Sequence, residues 1–90
     1  MKFRKMTTTV TREIDDEGSR FERTCWDIEM SINKKESDSG KYNINSLVDI
    51  IANGEEYHGL LVHKIVLNEY SGLFDISISG SFVNYFFMED

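Results

Sequence analysis

The chain has 90 residues, 40% of them apolar and 12% aromatic, with no proline, one cysteine and a net charge of −6. That is the length of one domain, residues 1–90, with enough hydrophobe to fold alone and too much for a disordered chain. Cys25 alone makes no internal disulfide, the apolar runs are too short to span a bilayer, and residues 1–6 lack an apolar signal core, so a cytoplasmic protein is expected.

The first segment is rich in threonine and alternates. Met6, Thr8, Val10, Arg12 and Ile14 share one face, with Thr7, Thr9, Thr11 and Glu13 on the other. Asp15, Asp16, Glu17, Gly18 and Ser19 read as a turn. A second alternating run follows, with Thr24, Trp26, Ile28, Met30 and Ile32 on one side, and the pair predicts a hairpin. Residues 34–41 read as a polar loop.

A short helix is expected next. Ser46 and Asp49 have the spacing of a capping box, Leu47, Ile50 and Ile51 fall on one helical face, and Asn53-Gly54 suits a helix stop. Residues 60–67 are apolar and β-branched and predict a buried strand. The alternative, a single long helix running on from Leu47 to Ile65, would carry Gly54 and Gly59 at about 1 kcal/mol each. Phe74, Ile76, Ile78 and Phe82 alternate against Asp75, Ser77, Ser79 and Ser81 in a last strand. The expected fold is therefore α+β: a small antiparallel sheet of about four strands, in the order strand-strand-helix-strand-strand, with one short helix on one face.

No spacing predicts a catalytic, cofactor-binding or metal site. His58 and His63 are five apart, which converges on neither a strand nor a helix. Cys25 sits between Arg23 and Asp27 with no base in sequence reach, and the six glycines form no phosphate loop. The net charge is unevenly placed. Residues 1–41 balance, whereas residues 42–90 set Lys64 alone against seven acids: Asp49, Glu55, Glu56, Glu69, Asp75, Glu89 and Asp90. Such a surface repels phosphate backbones and anionic lipid, so neither direct nucleic-acid binding nor a membrane role is expected.

The reading favoured is a non-enzymatic binding protein, an inhibitor or adaptor of a larger macromolecular machine. It would act on a basic protein partner through its acidic C-terminal half, in the compositional style of phage accessory, antitoxin or immunity proteins. Glu55, Glu56 and Glu69 are the expected charged contacts. Val83, Tyr85 and Phe87 add an apolar one, because they face away from Phe82, Phe86 and Met88, which are expected in the core. That patch also predicts a homodimer through the C-terminal strand. The alternative is a binder of a polar or nucleotide-like small ligand, held on the hydroxyl-rich sheet face between Tyr57, Tyr70 and Tyr85.

Overall fold

A computed structural model describes residues 1–86. Five antiparallel strands form one sheet: β1 (Lys2–Ile14), β2 (Arg20–Ile32), β3 (Leu47–Ala52), β4 (Glu55–Asn68) and β5 (Leu73–Tyr85). Their order across the sheet is β1-β2-β5-β4-β3, which leaves β1 and β3 at the edges. One helix, α1 (Lys34–Asp38), is a single turn with no buried residue.

The expected α+β class is corrected to a β fold, 69% strand and 6% helix among the described residues. The segment expected to be helical is β3. Asn53 and Gly54 both take positive φ, 52° and 78°, as a type I′ hairpin turn requires at its two central residues. Three β-branched residues, Val48, Ile50 and Ile51, also fit a strand better than a short helix. The helix lies instead in the stretch expected as a loop. There the Asn33 side chain accepts from the Glu36 N–H at 2.8 Å, and Glu36 accepts in turn from the Asn33 N–H at 3.2 Å. The β1–β2 hairpin and the strand character of residues 60–67 stand as expected, but the expected burial of that strand does not, since Leu61, Val66 and Leu67 are exposed.

β4 joins two parts of the sheet. Residues 61–68 pair with β5, whereas residues 55–61 pair with β3. Within the part paired with β3 the strand carries an extra residue at Gly59, whose φ is 65°, and it carries another against β5 between Val62 and Lys64. The β3–β4 hairpin is thereby turned over the apolar face of β2 and β5. Tyr57 meets Trp26 edge-on at 5.2 Å, and Leu60 lies against Gly80. One core results: Ile28, Met30 and Ile32 of β2, Ile76 and Ile78 of β5 and Val62, which pairs with Ile78, together with Tyr42 and with Val48, Ile50, Ala52, Tyr57 and Leu60 of the hairpin. The hairpin thus covers the greasy face that a helix was expected to cover.

Beyond the hairpin's reach the sheet has a single layer. Residues 10–14, 20–24 and 82–85 form a three-stranded arm with solvent on both faces.

Candidate functional site

The structure divides the expected acidic patch. Glu69 sits in the β4–β5 turn, beside the start of β5, while Tyr85 ends the same strand. Twelve strand residues separate those ends by roughly 40 Å at about 3.3 Å per residue. Glu55 and Glu56 open β4 next to the Asn53-Gly54 turn. Asp75 is drawn away from any patch: Arg4 pairs with it at 2.7 Å, and Ser31 and Asn68 donate to it at 3.1 and 3.2 Å. Burial alone would raise the Asp75 carboxyl, but the donors from Asn68, Ser31 and Arg4 outweigh it and hold the group below the ordinary carboxylate range.

Val83 and Tyr85 lie on the outer face of the arm. Tyr85 packs on Phe21 at 5.3 Å, and the Arg23 guanidinium stands 5.6 Å over the Phe21 ring. Phe87 and Met88 lie outside the described residues. Phe82 and Phe86 share the other face, yet neither is core: Phe82 stacks on Trp26 at 5.5 Å but is 49% exposed, and Phe86 is 43% exposed. The cause is β4, which leaves β5 after Leu61 meets Ser79 and takes its cover with it.

The hydroxyl-rich face does assemble. Thr7, Asp27 and Ser79 stand in one cross-strand row, and Thr9, Cys25 and Ser81 in the next. Its three candidate tyrosine walls do not. Tyr57 is buried on the core side, with its hydroxyl donating to Glu55 at 3.1 Å, Tyr70 is fully exposed in the β4–β5 turn, and Tyr85 is on the arm. The small-ligand reading loses the convergence it was built on.

The β3–β4 hairpin brings together a set that sequence reasoning only partly found. Inward, Val48, Ile50, Ala52, Tyr57 and Leu60 enter the core. Outward, Leu47, Asp49 and Ile51 of β3 stand beside Glu56, His58 and Leu61 of β4. Leu47 is 70% exposed and Ile51 63%. His58 lies between two carboxylates, its Nδ1 3.5 Å from Asp49 and its Nε2 3.5 Å from Glu56. Asp49 also accepts the Gly59 N–H at 2.9 Å, and this bond is the main reason its carboxyl is held below the ordinary range, with His58 adding to it. Glu55 projects from the opposite face at the hairpin tip. A cleft of about 360 Å³ opens against the hairpin, lined by Met1, Asp49, Ile50, Ile51, Glu56 and His58.

These charged groups are wet, each about two-thirds exposed or more. The arrangement offers negative charge and apolar contact rather than a dry reaction volume. Among the described residues no three His, Cys, Asp or Glu side chains cluster as a metal-ligand set, and no helix is long and apolar enough to cross a membrane. The signal for the missed members was the β-branched run of Val48, Ile50 and Ile51 ahead of an Asn-Gly turn. Comparison with protein-family models, with curated proteins and with solved structures finds no match for this chain.

Proposed function

We propose that the protein is a non-enzymatic binding module that engages a basic protein partner through the outer surface of its β3–β4 hairpin. The observation that carries this reading is the mixture on one small surface: carboxylates at Asp49 and Glu56 interleaved with the exposed aliphatic side chains Leu47 and Ile51, with Glu55 on the other face of the hairpin tip. The carboxylates favour lysine and arginine and repel phosphate, so a nucleic-acid or anionic-lipid partner fits poorly. The aliphatic groups give the apolar contact that charge alone lacks.

A peptide-display selection against the immobilised protein tests the reading. Recovered sequences should be rich in lysine or arginine and should bind less tightly as salt rises. Reversing Glu55 and Glu56 to lysine should abolish their capture while the circular dichroism spectrum is unchanged, since exposed charges contribute only about 0–1 kcal/mol each to stability. Recovered peptides with no basic preference, captured equally by the reversed variant, would overturn it.

A further inference from the structure

We infer that the partner binds as an added strand: an extended segment pairs antiparallel with the free edge of β3, carrying a basic residue opposite Asp49 and apolar residues opposite Leu47 and Ile51. This rests on the function proposed above and specifies how that surface is used.

The two edges of the sheet are built differently. On β1, two residues of advance from Phe3 to Lys5 face one on β2, so the edge strand itself carries a bulge, and Lys2, Arg4 and Lys5 surround it. Bulges and basic side chains are the usual devices that keep an edge from pairing with another chain. β3 has neither. Its register shift against β4 sets the step from Val48 to Ile50 against three residues of β4, so the extra residue belongs to β4 and is absorbed at Gly59. Asp49 spans the irregularity by accepting the Gly59 N–H, and the outer edge of β3 stays regular. No lysine, arginine or proline interrupts Leu47–Ala52.

The hairpin's own geometry states which backbone groups face outward. In a two-residue turn the flanking residues, here Ala52 and Glu55, form the hydrogen-bonded pair. Alternation along an antiparallel ladder then turns the N–H and C=O groups of Ile51, Asp49 and Leu47 away from β4. Among the described residues none of these three backbones has a partner in a turn, a loop or a side chain. The residues with free backbone groups are therefore the ones whose side chains line the outer face. A strand laid on this edge bonds to all three and is read by the sequence apolar, acidic, apolar.

A second copy of this chain suits that edge badly. Antiparallel self-pairing with full overlap places Asp49 directly against Asp49 and keeps only the two aliphatic pairs, and like charges opposed across a ladder are destabilising. A basic residue at the central position removes that conflict. Strand addition draws affinity from the main chain and specificity from alternate side chains, which matches what this edge presents.

The probe is a fluorescent peptide of sequence Thr-Leu-Thr-Lys-Thr-Leu-Thr, titrated into the full chain and followed by anisotropy. Its two leucines and its lysine take the positions opposite Ile51, Leu47 and Asp49. An isomer with the lysine moved by one residue should bind about tenfold more weakly, because the ammonium then points to the wrong face. N-methylation of the lysine should cost about the same factor, since that N–H faces Asp49. N-methylation of the adjacent threonine, whose N–H faces solvent, should cost nothing. Ile51→Lys should remove binding without altering the fold, and peptide should slow exchange of the Leu47, Asp49 and Ile51 amides. Binding that ignores lysine position and N-methylation overturns strand addition while leaving the proposed function standing. No binding by this peptide or by any basic sequence overturns both. Slowed exchange of the three amides with protein concentration alone assigns the edge to a second copy and overturns the proposal.

Discussion

Gly80 shows how closely the two parts of the sheet approach. It sits on the core face of β5, opposite Trp26 of β2, and its φ is ordinary, so its smallness rather than its flexibility is what the position uses. A Cβ there would collide with a methyl of Leu60, which is 2% exposed and has nowhere open to go. Gly80→Ala should therefore destabilise by about 1–3 kcal/mol through overpacking, and Leu60→Ala by about 2–5 kcal/mol through a cavity. The double variant should lose less than the two costs combined, because the added methyl fills space that the removed leucine vacated. Urea unfolding of the three variants and the parent closes this cycle. Strict additivity, or a Gly80→Ala change without cost, would mean that Leu60 is not wedged against β5.

At the scale of elements, β1, β2 and β5 were legible because each buries one face only. Ile28, Met30 and Ile32, and Ile76 and Ile78, alternate with polar neighbours, and period two is unmistakable. β3 is obscured in the sequence for the opposite reason. Its outward side chains Leu47 and Ile51 are as apolar as its inward Val48 and Ile50, so the alternation is hidden, and Ser46 with Asp49 imitates a helix start. The Asn-Gly pair is the decisive signal, yet it suits a helix stop as well as a hairpin turn. The same ambiguity explains the half-found site: Glu55 and Glu56 stand out as charges, but Asp49, Leu47 and Ile51 join them only once β3 is a strand. The turn should be sensitive accordingly. Gly54 has φ 78° with open space around it, so Gly54→Ala adds backbone strain and no clash. It should cost about 1–2 kcal/mol, while Asn53→Gly stays close to neutral. Thermal melts of both should show this, and equal melting temperatures for Gly54→Ala and the parent would rule out the positive-φ turn.

Charge counted along the chain located an acidic half but not its layout in space. Arg4 comes from the balanced first half and pairs with Asp75, Glu69 is carried to the far end of β4, and Asp49, Glu55 and Glu56 gather on one hairpin. Shape was equally hidden. The extents are 57 × 22 × 19 Å and the radius of gyration is 16.3 Å, against roughly 12 Å for a compact domain of this length. Strands of 13 residues are longer than the core they cross. The same three strands therefore run from a sealed interior into a single-layer arm, and local stability should fall along them. Amides at Ile28, Met30, Ile32, Ile76 and Ile78 lie where the β3–β4 hairpin seals one face, and opening them requires breaking the core. Amides of residues 10–14, 20–24 and 82–85 belong to the same ladders but have little packed above them. Phe21 is the exception, buried under Tyr85 and the Arg23 side chain. Native-state hydrogen exchange should then report global unfolding at the core positions and faster local opening in the arm, with the residues flanking Phe21 slowest within it. Phe21→Ala should speed exchange throughout the arm and leave the core amides tied to global stability. Uniform protection from one end of β2 to the other would show instead that the arm and the core unfold as one unit.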